Sequence, residues 1–391
     1  MKEIRMTENQ QLVNRLKGSF QQVWEKAGFS QPTSIQSYAI PHILEKRDVI
    51  AESPTGTGKT LAYLLPVLNR IDAEKKAVQA VILASSQELV MQILNEIQKW
   101  AEGSGIRGAS FIGGANVKRQ LEKLKKHPHI AVGTPGRVHE LIKQKKLKMH
   151  EVKMVVLDEA DQLLVPEHTD TVQQIVKSTL SDRQVILFSA TLPDSTVNIA
   201  KELTNHAEII SVKKDETIHA EKVNHIYFIS EQREKIKLLE KISRLKALKA
   251  LVFVKDIGNL AVLAEKLQYK KINASILHSD LNKMERQKAL RNFRDGKTSM
   301  LIATDVAARG LDIEGITHVV HYDFPKDLNQ YVHRSGRTGR FGAAGTVISL
   351  VTEREERDLK KFAKEIGVHA VIKRFHGEGI VEGKPRSPIK R

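Results

Sequence analysis

Short apolar runs recur along the first half of the chain, separated by stretches with helical spacing. Asp48-Val49-Ile50-Ala51, Ala80-Val81-Ile82-Leu83, Met154-Val155-Val156-Leu157 and Gln184-Val185-Ile186-Leu187-Phe188 read as buried strands. Strands alternating with helices predict a parallel sheet. The rhythm restarts with Ala250-Leu251-Val252-Phe253-Val254, Ile272–Leu277, Met300-Leu301-Ile302-Ala303, His318-Val319-Val320 and Gly345–Leu350, so a second α/β domain is expected. Between the two, Val212–Lys222 is polar, charged and aperiodic. This places domains at 1–210 and 223–375, a linker at 211–222, and a Gly, Pro and Lys/Arg-rich flexible tail at 376–391.

Composition narrows the partner. The 391 residues carry 63 Lys and Arg against 46 Asp and Glu, a formal charge of +17. That excess favours a polyanion, although a merely soluble basic surface gives the same number. There are no cysteines, which excludes thiol catalysis, disulfides and Cys-ligated zinc. The N-terminus has no apolar signal region and no stretch approaches the roughly 18 apolar residues of a membrane span, so a cytoplasmic enzyme without membrane association is expected.

Ser53-Pro54-Thr55-Gly56-Thr57-Gly58-Lys59-Thr60 follows the strand ending at Ala51 and precedes the apolar helix from Leu61. This is the strand–loop–helix context of a phosphate-binding loop, with Ser53 where the first glycine usually stands. Its backbone N–H groups would curl around phosphate, Lys59 would supply charge to the β and γ phosphates of ATP, and Thr60 a hydroxyl to Mg²⁺. Asp158 and Glu159 end another strand. Beside such a loop, Asp158 would hold hydrated Mg²⁺ and Glu159 would orient or deprotonate the attacking water. Alone, an Asp-Glu pair is more often a solvated helix start.

Asp158-Glu159-Ala160-Asp161, Ser189-Ala190-Thr191 and His333-Arg334-Ser335-Gly336-Arg337-Thr338-Gly339-Arg340 together resemble the DEAD-box RNA helicases of helicase superfamily two, bacterial minimal type, from about Trp24 to Phe375. The resemblance implies two tandem RecA-like domains that close on ATP and one RNA strand. It implies that Gln36, in Gly28-Phe29-Ser30-Gln31-Pro32-Thr33-Ser34-Ile35-Gln36, reads adenine beside Phe29, and that Ser53, Thr55, Gly56, Thr57, Gly58, Lys59 and Thr60 hold phosphate. Asp312 would bond the ribose, and Arg337 and Arg340 would be the arginine fingers, catalytic with Lys59, Asp158 and Glu159. Ser189, Thr191, Asp305 and His333 would couple ATP state to domain geometry. As bare residues, Ser189 and Thr191 could equally cap a helix. The aromatic that the family commonly places upstream of the Gly-Phe pair is absent from Asn9-Gln10-Gln11-Leu12.

By the same resemblance RNA would meet Ser86, Gln87, Gly114, Thr134 and Arg137 in the first domain, and Phe253, Lys255, Arg286, Thr304, Arg309 and Gly310 in the second. Gln87 stands where the family has Arg, and Ser279 and Lys283 where it has Gly and Gln, so some backbone contacts are altered. Aromatics make up 5% of residues with no evident stacking platform, which points to backbone tracking with low sequence preference. Lys118, Arg119, Lys123, Lys125, Lys126, Lys143, Lys145, Lys146 and Lys148 flank the Thr134 segment and either widen this basic track or form a solvated face. The expected activity is ATP-dependent local unwinding or RNP remodelling by a monomer, on pre-ribosomal particles or in RNA turnover. An ATP-gated RNA clamp in which unwinding is incidental is the alternative.

Overall fold

A computed structural model describes residues 12–29, 31–114, 117–212, 223–308, 311, 313–339, 343–377 and 379–383. Arg309, Gly310, Asp312 and Arg340, the 213–222 part of the expected linker and residues 384–391 lie outside these. The chain divides into two compact units, 1–213 and 214–391.

The first unit holds seven strands, β1 (Val49–Glu52), β2 (Ala80–Ala84), β3 (Gly108–Phe111), β4 (Ile130–Gly133), β5 (Met154–Asp158), β6 (Gln184–Ser189) and β7 (Glu208–Ser211). They pair in parallel in the order β3-β4-β2-β5-β6-β1-β7. Helices cover both faces, and the side chains of each strand divide accordingly. Ile82, Val156, Ile186 and Phe188 join Leu64, Ile93 and Trp100 on one face. Val81, Leu83, Val155 and Leu187 join Val138, Leu141 and Ile175 on the other. Every residue of β2, β5 and β6 is buried, as the continuous apolar runs require.

The second unit holds β8 (Val223–Ile229), β9 (Ala250–Val254), β10 (Ala274–Leu277), β11 (Met300–Thr304), β12 (His318–His321), β13 (Gly345–Val351), β14 (Ala370–His376) and β15 (Gly379–Glu382), in the order β10-β11-β9-β12-β13-β8-β14-β15. All pairs are parallel except β14 with β15.

This last hairpin corrects only the start of the tail expected over 376–391, up to residue 383; residues 384–391 lie outside the described residues. Gly377, at φ 60°, allows the chain to reverse, and Phe375 then pairs with Ile380. Phe375 also stacks on Phe228 with ring centroids 5.1 Å apart, so the segment has an apolar anchor. Of the Lys and Arg residues that suggested a loose tail, Lys373 and Arg374 belong to β14, half-buried and exposed respectively, and the other four lie outside the described residues.

Candidate functional site

In a parallel sheet flanked by helices, ligands meet the protein outside the carboxyl ends of the strands. In the first unit the predicted segments stand at those ends: the loop from Ser53 after β1, Ser86–Gln87 after β2, Gly114 after β3, Thr134 after β4, Glu159 after β5 and Ser189–Thr191 at the end of β6.

The phosphate loop is held from beneath. The Ser53 N–H donates to the Ser189 carbonyl at 3.0 Å, joining β1 to β6. The Ser53 hydroxyl bonds that of Thr57 at 2.7 Å, so Ser53, in place of a glycine, contributes an internal brace. Gly56 and Gly58 adopt φ of 79° and 89°, the left-handed region a side chain strains to reach. A Cβ on Gly58 would also lie 2.5 Å from Nε2 of Gln36. Lys59 opens the Lys59–Arg70 helix and donates from Nζ to the carbonyls of Ser53 and Pro54 at 2.6 and 3.0 Å. The cation therefore already points into the curl where phosphate would lie.

Gln36 is 3% exposed. Its Oε1 accepts from the Thr33 N–H at 2.9 Å, completing a capping box for the Ser34–Leu44 helix, and its Nε2 donates to the Gly58 carbonyl at 3.2 Å. One donor hydrogen and one acceptor lone pair of the amide are left, the pair an adenine edge would need. Phe29 stacks on Trp100 at 6.1 Å and tilts against Trp24 at 5.1 Å. Residues 9–11, most of the region of the missing upstream aromatic, lie outside the described residues, and Leu12 is buried.

Asp158 ends β5 with 4% exposure. It accepts from the Tyr63 hydroxyl at 2.8 Å and from the Glu159 N–H at 2.9 Å. Burial pushes its carboxyl up to about 6, with the charge of Glu159 as the next cause, opposed by Tyr63 and Lys59. Among the described residues no group of three or more His, Cys, Asp or Glu could cage a metal ion. A desolvated carboxylate beside a phosphate cradle fits Mg²⁺ in particular, because that ion keeps waters and takes phosphate oxygens with only one or two protein ligands. Glu159 has φ 55°, a conformation costly for a non-glycine residue, and its carboxylate accepts from the Ser85 hydroxyl.

The raised Asp158 carboxyl makes stability pH-dependent. The folded state holds this proton more tightly than the unfolded chain, so its contribution is full below the usual 3.8 and is lost as pH rises through about 6. The difference amounts to about 3 kcal/mol. In metal-free protein, Asp158→Asn is expected to raise Tm relative to wild type progressively between these values. Thermal unfolding of both proteins at matched pH checks it, and parallel Tm curves would contradict the assignment.

The Ser189 hydroxyl lies against the Asp161 carboxylate and 2.6 Å from the Thr191 carbonyl, linking the two acidic and hydroxyl segments. The Thr191 hydroxyl is buried with no hydrogen-bond partner among the described residues. At the other strands, Ser86 caps the Gln87–Trp100 helix by accepting from Leu89 N–H at 3.1 Å. The Gln87 amide lies 4.0 Å from where a Cβ on Gly114 would stand, so these two predicted RNA residues adjoin. Thr134 precedes the Pro135–Lys143 helix, where the Arg137 side chain, 9% exposed, reaches Glu140 at 3.3 Å.

In the second unit Asp305 opens a short helix after β11 and accepts from Arg334 Nε at 2.7 Å and Nη2 at 2.6 Å. Gln330 donates to the same carboxylate at 2.7 Å. Arg334 also donates to the Asp323 carbonyl and lies over Phe253, 5.0 Å from the ring centroid. Phe253 is thus buried, whereas Lys255 is exposed with its N–H bonded to Asp323. Arg286 donates to the Ala307 carbonyl at 2.8 Å, Thr304 is buried at the end of β11, and His333 is half-buried. Arg337 is 8% exposed and donates from Nη1 to the Leu311 carbonyl at 3.1 Å.

Arg334 and Tyr63 have contacts that motif spelling does not disclose. Arg334 lies inside a quoted motif but reads as one more basic residue until its depth is known. Tyr63 reads as part of an apolar helix, and only the fold brings its hydroxyl to Asp158.

Known proteins share this arrangement. Residues 33–199 match the DEAD/DEAH box helicase family and residues 234–342 the helicase conserved C-terminal domain. The chain is 57% identical over 363 residues to the probable ATP-dependent RNA helicase YfmL of Bacillus subtilis, covering 93% of this chain and 96% of that one. It is 49% identical to the DEAD-box ATP-dependent RNA helicase CshC of Bacillus cereus, covering 97% of each. Among solved structures, S. cerevisiae Dbp5 bound to RNA and ADP BeF3 superposes with a TM-score of 0.84 at 31% identity, over 92% of this chain and 94% of that one. The two RecA-like units, the phosphate loop and the acidic strand end, taken with this likeness, show that the chain belongs to the bacterial-type DEAD-box ATP-dependent RNA helicases.

Proposed function

We propose that the chain binds Mg²⁺·ATP on the first unit, holds a single RNA strand by its backbone, and opens short duplexes locally when the arginine loop of the second unit meets the nucleotide. The observation that carries this reading is the convergence of Lys59, Asp158, Glu159 and Ser189 at adjacent strand ends, with Asp158 buried and its carboxyl raised. When bound, Mg²⁺ would neutralise charge on the phosphates, held by Asp158 through water and by Thr60. Lys59 would exchange the Ser53 and Pro54 carbonyls for phosphate oxygens, and Glu159 would orient the attacking water. Arg337 and Arg340 would complete the site only on closure, so hydrolysis would require both units and RNA would favour the closed state. ATP and RNA would then bind cooperatively.

RNA contact through Ser86, Gln87, Gly114, Thr134 and Arg137 is supported by their common position at strand ends and by the RNA-bound relative Dbp5. The shortage of aromatics there supports backbone tracking. ATPase stimulation by RNA and by DNA of equal length and sequence tests the substrate. At least about tenfold greater stimulation by RNA is expected if the 2′-hydroxyl is sensed, and equal stimulation would refute RNA selectivity.

A further inference from the structure

The lysines around the Thr134 segment separate into two places once the fold is known. The Val117–Lys125 and Pro135–Lys143 helices each leave the carboxyl end of a strand and run back toward the start of the next. Lys126 and the loop from Lys143 to Lys148 therefore lie at the opposite pole of the first unit from Gly114 and Thr134, about 13 Å away along the nine-residue Pro135–Lys143 helix. Leu121 and Leu124 from one helix and Leu141 and Ile142 from the other pack on the same face of the sheet. The two helices follow β3 and β4, which are neighbours in the sheet, so their C-terminal ends emerge at the same pole of the same face.

This surface is held in shape. Lys145 N–H donates to the Ile142 carbonyl at 2.8 Å, and those of Lys146 and Leu147 to the Leu141 carbonyl at 2.9 and 3.1 Å. Leu147 and Met149 are buried, so Lys146 and Lys148 alternate outward. Lys126, Lys143, Lys145, Lys146 and Lys148 are all exposed, and among the described residues none has an ion-pair partner. The nearby acids are engaged elsewhere: Glu122 with Lys125, Glu140 with Arg137 and Glu151 with Lys75. Lysines in a last helical turn offset the helix dipole, which accounts for Lys143 but not for Lys145, Lys146 and Lys148 beyond it.

We propose that this lysine pole binds the phosphate backbone of structured RNA flanking the strand held at the carboxyl ends of the sheet. No exposed large hydrophobic side chain falls within 122–127 or 143–151, and the pole has neither the aromatic nor the arginine anchors of a protein interface. Lysines acting as point charges suit phosphates spaced along a helix, read without regard to sequence. The proposal rests on the RNA contact proposed above, since the flanking duplex is presented by the strand bound there.

The test compares wild type with a variant carrying Lys143→Gln, Lys145→Gln, Lys146→Gln and Lys148→Gln on two RNAs. One is a single strand of about ten nucleotides, the other the same strand extended by a hairpin of about two turns. Affinity for the short strand and RNA-free ATP turnover are expected to hold. Hairpin affinity is expected to fall at least about tenfold, with the slope of log affinity against log salt shallower by about 3. Equal loss on both RNAs, or no loss on either, would overturn the proposal. A wild type that binds the hairpin through these lysines yet ignores the short strand would support the pole and refute the strand-end contact. Binding of neither RNA by wild type would refute both.

Discussion

Replacing Glu159 by Gln is expected to lower ATP turnover by about 10² to 10⁴-fold while leaving ATP binding in place. The change removes one negative charge and preserves volume. The new amide oxygen can still accept from the Ser85 hydroxyl, so the φ 55° backbone at this position keeps its side-chain anchor. Asp158, Lys59 and the phosphate loop are untouched. The loss of Glu159 charge removes the second cause of the raised Asp158 carboxyl, so Asp158 ionises more readily. What disappears is the group proposed to accept or orient a proton of the attacking water, and such a group is commonly worth about 10²–10⁴ in rate. Single-turnover hydrolysis with saturating RNA, alongside nucleotide binding by fluorescence, checks both halves. Turnover above about a tenth of wild type would remove Glu159 from the reaction. Equal loss of binding would make it structural. The same variant bears on the clamp alternative: strand separation that survives without hydrolysis would favour gated holding over repeated opening.

Legibility in the sequence followed burial only in part, since the wholly buried but four-residue β4 is not legible as a strand. The runs at β1, β2, β5, β6, β9, β11, β12 and β13 are apolar because helices cover both faces, and they were readable as strands. Gly108-Ala109-Ser110-Phe111 gives no comparable signal, since β3 is a four-residue edge strand containing Gly and Ser. Val223–Ile229 is masked differently, by Asn224 and His225 within β8. The β15 strand follows a turn at Gly377 and pairs through its backbone, so composition alone suggested a tail. The candidate site divides likewise. Phosphate-loop spacing is set by local backbone geometry and appears in eight consecutive residues. The Tyr63–Asp158 hydrogen bond spans 95 residues, and no local pattern encodes it. The lysines at 143–148 were visible as charge, but which pole of the sheet they occupy depends on helix direction and length.

Arg334→Ala is expected to destabilise the second unit by about 3–5 kcal/mol, the usual consequence of removing one partner of a buried ion pair. The Arg334 side chain is 3% exposed and meets both carboxylate oxygens of Asp305, whose side chain is 20% exposed, together with the Asp323 carbonyl. Among the described residues, truncation leaves Asp305 with Gln330 as its remaining side-chain donor, and it strips the cation from the face of Phe253. It also opens space beside His321, whose buried ring is kept neutral first by burial and then by the Arg334 charge. Arg334→Lys keeps a charge but not the planar fork, so an intermediate loss is expected. Adding Asp305→Asn to Arg334→Ala should recover part of the deficit if the uncompensated carboxylate is its source. Both tryptophans lie in the first unit, so their fluorescence does not report this event. Amide hydrogen exchange in β9, β11 and β12 of the full-length chain does, and a change below about 1 kcal/mol there would show that the ion pair is not what holds these strands. The consequence for turnover follows from chain order, because Gly336 and Arg337 continue directly from the helix that Arg334 anchors. At a temperature where the variant stays folded, ATP hydrolysis is expected to fall with the nucleotide affinity of the first unit unchanged, since the phosphate loop and Asp158 belong to the other compact unit.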